Sequence, residues 1–438
     1  MVPNALTAGF LLLPVYNYLM PLLGYGTNKL GDLVYHLLNL SFIAMGLRSR
    51  PAADKKDKNR SVWAMSTVTL SQYALQAALG LILTWLLFST VSPGLNPAFG
   101  LTLPLGFAMG PGQAYAIGKG WEAMGFEGAG SVGLTMAALG FLWSCIVGVA
   151  LVNYGCRKGY LRKESSEALR DRTMLTGVIP RGGEKSLGMR GTTDLEAIDP
   201  LSFHGAAVAF TYILSYLLLL GLGKLLSFAG KAGEDLARNL WGINFIFSAL
   251  TAMAVRFLVN KLRLEHTLDD DALSRISGFS VDYMVTGSLA AISLVFVGRY
   301  WLPILVVSTV GGLLVTLTVP WWSSRIFKDH RYERMIMLFG VSTGTLSTGL
   351  ALLRILDPEF KTKVSSDYML SAGLTFALAI PFILNINLPA QAGQSGNLSS
   401  FWAMILLSCA YIAYCVVAFA AVSGKRALAK PLRPWYQD

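Results

Sequence analysis

Residues 342–349 read Ser-Thr-Gly-Thr-Leu-Ser-Thr-Gly. The hydroxyls of Ser342, Thr343, Thr345, Ser347 and Thr348 therefore crowd around Gly344 and Gly349, inside an otherwise apolar segment at roughly 335–356. Hydroxyl and unwound carbonyl oxygens at membrane depth suit a hard monovalent cation. A helix that restarts after a glycine break offers free N–H groups and a positive dipole end to an anion. A second apolar segment with a glycine-rich middle lies at roughly 99–119, where Gly110-Pro111-Gly112-Gln113 is followed by Tyr115. For any single hydroxyl the alternative is a hydrogen bond back to its own helix carbonyls. The candidate substrate contacts are Gly110, Gly112, Gln113, Ser342, Thr343, Gly344, Thr345, Ser347, Thr348 and Arg354. The candidate cation ligands are Gln113, Thr343, Ser347 and Asn385.

Arg354 enters because intramembrane charge is a functional candidate and guanidinium binds carboxylate in bidentate fashion. It follows Ser347 by seven residues, which puts both on one helical face about 10 Å apart. The other reading pairs it with Asp357 or lets it snorkel at the membrane mouth. Asn385 and Asn387, beyond Pro381, offer amide oxygens either to a ligand or to the outer interface. Arg256 has the position of a snorkelling residue. His36, His204, His266 and His330 have no metal-ligand spacing. The four cysteines, Cys145, Cys156, Cys409 and Cys415, form no CxxC pair and read as inert thiols. There is no nucleophile–base pair, P-loop or metal motif, so the expectation is a carrier and not an enzyme, with no cofactor beyond a coupling ion.

These residues need a membrane framework. Of the 438 residues, 54% are hydrophobic and 14% charged, whereas a soluble domain carries about 25% charged residues. Apolar runs long enough to cross the bilayer as helices recur, at roughly 5–23, 31–47, 62–91, 130–154, 202–228, 240–260, 281–299, 301–322, 368–389 and 399–423. The short alternating strands of an outer-membrane barrel do not occur. Met1 to Leu13 holds no Lys or Arg, so there is no signal-peptide n-region. The net charge of +11 belongs to loops between spans and does not point to nucleic acid.

If 99–119 and 335–356 are re-entrant hairpins, 28 of the 36 Lys and Arg fall on one side. That side is then cytoplasmic and includes the C-terminus. If both segments spanned instead, the nine basic residues of Arg157–Arg190 would lie outside. The two hairpins then enter from opposite sides, which implies an inverted repeat. Ser131-Val-Gly-Leu-Thr-Met-Ala137 does recur as Ser371-Ala-Gly-Leu-Thr-Phe-Ala377, and Gly106-x-x-x-Gly110 as Gly340-x-x-x-Gly344. The expected fold is an all-α polytopic membrane protein of two inverted repeats, each with a re-entrant hairpin. Residues 1–154 form the first repeat, 155–201 a cytoplasmic linker, 202–389 the second repeat, and 390–438 an extra helix and basic tail. Helix 5–23 pairs with 240–260, 31–47 with 281–299, 62–91 with 301–322, and 130–154 with 368–389. Helix 202–228 has no partner; its counterpart would precede Met1, so a missing opening helix is expected. The matched glycines predict that the tips near Gly110 and Gly344 meet near the midplane. Paired broken segments of opposite orientation are the architecture of secondary transporters.

The order and glycine pattern resemble the sodium/glutamate symporter family over about residues 1–389. Pro3-Asn4-Ala5 with Gly9 is similar to that family's Pro-Glu-Pro-x-x-Gly-Gly helix start, and Phe42-Ile-Ala-Met-Gly-Leu47 to its Phe-x-x-x-Gly-Leu helix end. The Gly340–Gly349 segment resembles its second glycine-rich hairpin. Where the family carries Gly-Gly-His-Gly, this chain has Met109-Gly110-Pro111-Gly112-Gln113, and neither hairpin holds a histidine. The resemblance implies Na⁺-coupled uptake of glutamate or a related acidic amino acid by an elevator-like homodimer in the inner (plasma) membrane. Another carboxylate, H⁺ coupling, and a channel or scaffold remain open alternatives.

Overall fold

The computed structural model describes residues 4–24, 28–49, 57–160, 198–228, 230, 233, 237, 240–241, 244–357 and 362–435. Most of the expected linker, 161–197, lies outside them, as do Pro3 and Lys361. The regular structure of the described residues is all helical, with no strand among them. In chain order the helices are α1 (Asn4–Pro14, continued by a π turn to Leu22), α2 (Asn28–Leu47) and α3 (Asp57–Thr90). The next are α4 (Pro97–Met109), α5 (Pro111–Glu122) and α6 (Ala129–Arg157, with a π turn at Ser144–Gly148). Then come α7 (Pro200–Ser227), α8 (Asn244–Lys261), α9 (Asp270–Ala290), α10 (Leu294–Arg299) and α11 (Trp301–Ile326). The last are α12 (Arg331–Ser342), α13 (Leu346–Leu356), α14 (Val364–Leu384), α15 (Leu388–Ser395) and α16 (Ser399–Ser423).

Among the described residues seven stretches are long and apolar enough to cross a membrane: Leu30–Leu47, Arg60–Thr90, Ala129–Arg157, Pro200–Ser227, Trp301–Ile326, Val364–Ser395 and Ser399–Ser423. The chain is an all-α membrane protein.

One group of helices comprises α1, α2, α7, α8 and α9. Here α2 and α9 pack together, α1 lies on α9, and α8 lies on α2. Glycine sets both outer contacts. A Cβ on Gly9 would stand 2.6 Å from Leu289 Cβ, and one on Gly46 would stand 2.8 Å from Ala252 Cβ. Buried polar side chains stitch α2, α7 and α8. Ser248 Oγ donates to Asn39 Oδ1 at 2.9 Å, and Ser215 Oγ to Asn244 Oδ1 at 3.4 Å. Each such bond between membrane helices contributes about 0.6–2 kcal/mol. At the start of α7 the Asp199 carboxylate accepts from Ser202 N–H at 2.8 Å, which holds the carboxyl below its usual range.

The second group is built on α3. It touches α4, α11, α12, α14 and α16. Its buried face carries Ser66, Gln72, Gln76, Gly80 and Thr84, one or two turns apart. Ser66 Oγ meets Thr375 Oγ1 on α14 at 3.0 Å, and Gln72 Oε1 accepts from Thr318 on α11 at 3.1 Å. The cation–carboxylate pair that closes one end is buried too: Arg334 Nη2 meets Asp367 Oδ2 at 2.7 Å.

The structure corrects one span. A continuous helix at 281–299 was expected, but α9 ends at Ala290 and α10 starts at Leu294. Two side chains satisfy the backbone at this interruption. Ser293 N–H donates to Ser131 Oγ at 3.3 Å and Leu294 N–H to Asn17 Oδ1 at 3.1 Å. The helix begins earlier, at Asp270, because its N-terminal half is amphipathic. Leu273, Ser277, Ser280 and Met284 face inward while Arg275 and Asp282 face out, so a hydropathy count passes over it.

Candidate functional site

Two helices break inside the second group. The first break separates α4 from α5 at Gly110, whose φ of +97° favours glycine. Pro111 then opens α5, where its missing N–H costs nothing. The two arms start and finish at one level. Phe99 at the head of α4 and Trp121 at the foot of α5 both lie against the Phe126 ring, with centroids 6.1 Å and 6.3 Å away. The second break separates α12 from α13 over Thr343–Thr345. Its arms lie antiparallel and close, since a Cβ on Gly340 would stand 2.8 Å from Gly349 Cα.

The two pairs are rooted at opposite ends of α6. A Cβ on Gly118 of α5 would stand 2.7 Å from the carbonyl oxygen of Ala129, at the start of α6. Tyr332 of α12 donates to the Leu151 carbonyl near the other end, at 2.5 Å. Their breaks meet between. A Cβ on Gly110 would fall 2.9 Å from Thr345 Cγ2 and 3.9 Å from the Gly344 carbonyl oxygen. Gly140, in the middle part of α6, closes the floor: its Cβ would stand 2.6 Å from the Thr343 carbonyl oxygen. The junction thus combines the N-termini of α5 and α13 with the C-termini of α4 and α12. Positive and negative dipole ends share one buried place.

The candidate side chains divide in this frame. Thr345 caps α13, and a reciprocal capping box with Thr348 occupies both hydroxyls. Thr343 Oγ1 donates back to the Phe339 carbonyl at 2.8 Å. Ser342 is buried, and its Oγ has no partner. Gln113, in the first turn of α5, is buried with Oε1 unpartnered. Gly112 faces away from the junction, where a Cβ would meet Leu38 and Met284 at 2.7 Å and 2.8 Å. Ser347 sits in the first turn of α13; its side chain lies outside the described residues.

The structure does not bring Arg354 or Asn385 to the junction. Arg354 is exposed in the last turn of α13. Nine residues separate it from Thr345, about 13 Å along the axis, beyond the reach of its guanidinium. Asn385 is exposed at the end of α14 and donates to the Pro381 carbonyl at 2.8 Å. Its neighbour Asn387 accepts from Trp121 Nε1 at 2.8 Å, so this loop belongs to the foot of the first pair. The cavity of about 460 Å³ lined by Asn96, Glu127, Arg299 and Gly393 is at that same foot, away from the breaks.

A junction residue missed in the sequence is Gln76 of α3. It is fully buried, and its Nε2 donates to the Ser342 carbonyl at 3.0 Å. That carbonyl can only accept, so the amide oxygen must point the other way. Gln76 Oε1 has no partner. Gln76, Gln113 and Ser342 therefore each hold a buried oxygen without a donor. Such an oxygen costs about 1–3 kcal/mol each when nothing satisfies it. The sequence signal was the spacing Gln72-x-x-x-Gln76-x-x-x-Gly80, which places two amides and a glycine on one face of a long apolar helix.

Comparison with protein-family models, with curated proteins and with solved structures finds no match to this chain.

Proposed function

We propose that the chain is a secondary active transporter that takes up glutamate or a related acidic amino acid with Na⁺. The observation that carries this reading is the meeting of two helix breaks, rooted at opposite ends of α6, at Gly110 and Thr345. Broken backbone at membrane depth is costly unless protein or a polar cavity satisfies it. A mere scaffold has no use for two such breaks in contact. The N-termini of α5 and α13 supply N–H groups for a carboxylate, and the C-termini with the buried oxygens supply a cation site. Because Arg354 is remote, the anion is held by N–H groups and hydroxyls. Residues 105–114 and 339–349 contain no Asp, Glu or His, which favours Na⁺ over H⁺ as the coupling ion.

The inverted-repeat reading draws support from the mirrored packing of α1 on α9 and α8 on α2. In each case a glycine lets the helices approach closely. Gly9 abuts Leu289, and Gly46 abuts the Ala249 carbonyl at 3.2 Å. The two re-entrant hairpins are α4–α5 and α12–α13. The repeats differ at one contact. Gly133 of α6 is pressed against α5, where its Cβ would stand 2.8 Å from the Ala114 carbonyl oxygen. Its equivalent Gly373 of α14 meets no described atom within 4 Å. The hairpin opening to the outside is thus shut, and the one opening to the basic, cytoplasmic side stands off its seat. Transport alternates these two arrangements, with α13 docking on α14 through Thr348 and Gly373 as α5 docks on α6. The helices α1, α2, α7, α8 and α9 form the static part and the dimer contact in the plasma membrane.

The test is uptake into proteoliposomes across a panel of amino and dicarboxylic acids, with Na⁺, K⁺ or choline outside. Saturable uptake of an acidic solute that requires Na⁺ is expected. Uptake driven equally by a proton gradient without Na⁺, or no uptake of any acid, overturns the reading.

A further inference from the structure

The residue that ties α3 to the second hairpin is Gln76. Its amide nitrogen donates to the last carbonyl of α12, and its own oxygen is buried without a donor. The Ser342 hydroxyl, on the residue whose carbonyl Gln76 holds, is left likewise. Both side chains are almost wholly buried, 0% and 1% exposed. They sit at the C-terminal, negative end of α12, where its last carbonyls point. Gln113 Oε1, three residues beyond the Gly110 break, is another buried oxygen without a donor. A second helix C-terminus, that of α4, ends at the same break.

Two buried oxygens without donors, on adjoining residues at the negative end of α12, call for a positive partner. Among the described residues no Asp or Glu is hydrogen-bonded to either side chain. Sites for divalent cations draw their affinity from ligand charge, whereas a desolvated monovalent cation is served by neutral oxygens. We infer that Gln76 Oε1 and Ser342 Oγ are ligands of a monovalent cation, with Gln76 as the ligand contributed from outside both hairpins. The site deepens the transport reading, and its coupling role rests on that reading. Cation binding joins α12 to α3 through one amide: Nε2 holds the hairpin carbonyl while Oε1 holds the ion. Binding therefore fixes the hairpin tip to the helix along which it lies. The oxygen of Gln72, one turn away, already accepts from Thr318, whereas that of Gln76 has no donor.

Thermal melting of the purified full chain in detergent tests this, with NaCl, KCl and choline chloride compared at equal ionic strength. The wild type is expected to melt higher in Na⁺ along a saturable curve. Gln76→Leu abolishes the Na⁺-dependent shift, and Ser342→Ala raises the half-saturating Na⁺ concentration at least tenfold. A folded Gln76→Leu protein that keeps the wild-type shift overturns the site, as does a wild type with no Na⁺-dependent shift. If Gln76→Leu fails to fold, Ser342→Ala decides alone, and an unchanged half-saturation overturns the site. Proteoliposome uptake separates this from the wider reading. Na⁺-dependent uptake with a melting shift indifferent to Gln76 and Ser342 removes only this site. A Gln76-dependent shift without any uptake leaves the site standing and removes the transport role.

Discussion

Gly80→Val is expected to abolish the folded protein. Gly80 of α3 and Gly100 of α4 touch backbone to backbone, and a Cβ on either would overlap the other's carbonyl group. A flexible side-chain tip could move aside; a peptide group in a helix cannot without displacing the helix. Overpacking by a few methylenes in a relaxed core costs about 1–3 kcal/mol. Here the obstruction is rigid on both sides, so the penalty exceeds that range and takes most of a membrane protein's margin. The lesion also falls where α4 begins its descent, next to the Phe99, Phe126 and Tyr300 rings. Size-exclusion profiles of a fluorescent fusion check this: a monodisperse peak for the wild type and aggregate for Gly80→Val. Gly120, with nothing within 4 Å of its Cβ position, serves as the control, and Gly120→Val should elute as wild type.

Gly373→Leu is expected to leave a folded protein without transport. In the described arrangement nothing lies within 4 Å of a Cβ on Gly373, so a side chain leaves the backbone there without a clash. In an exposed helix interior the change from glycine even favours folding by up to about 1 kcal/mol. Its equivalent Gly133 has no such freedom, because α5 lies directly on it. If α13 must dock on α14 in the alternate arrangement, the leucine occupies the seat that Thr348 needs. Gly373→Leu should therefore melt at or above the wild-type temperature while its uptake falls by at least a hundredfold. Gly133→Leu should instead fail at folding. Wild-type uptake by Gly373→Leu would show that α13 never closes on α14.

Much of this architecture was visible in glycine spacing. The GxxxG pairs marked both breaks, because only glycine allows a positive φ at Gly110 and the close arms at Gly340 and Gly349. Their repetition in the same order anticipated that the breaks touch. The start of α9 was obscured by its polar outer face, which diluted the hydropathy on which span-finding depends. Arg354 and Asn385 attracted notice as rare polar groups in apolar runs, yet three-dimensional placement puts both at helix ends. Helical periodicity related Arg354 to Ser347 correctly, but a shared face says nothing about which neighbour that face meets. Gln76 was overlooked for the opposite reason. It lies mid-span in a helix that looked ordinary, and its importance comes from a carbonyl 266 residues away in sequence.

If solute passes through the junction of the two breaks, Gly344→Leu must lose uptake. A Cβ on Gly344 would stand 2.8 Å from Thr348 Oγ1 and 3.1 Å from Phe141 Cδ1. A leucine there fills the junction while the helices outside it keep their contacts. Proteoliposomes with equal amounts of monodisperse wild-type and Gly344→Leu protein are compared under the same Na⁺ gradient. Saturable uptake of an acidic solute is expected for the wild type, and none above protein-free vesicles for Gly344→Leu. Uptake by Gly344→Leu at the wild-type rate and apparent affinity would contradict passage through the junction.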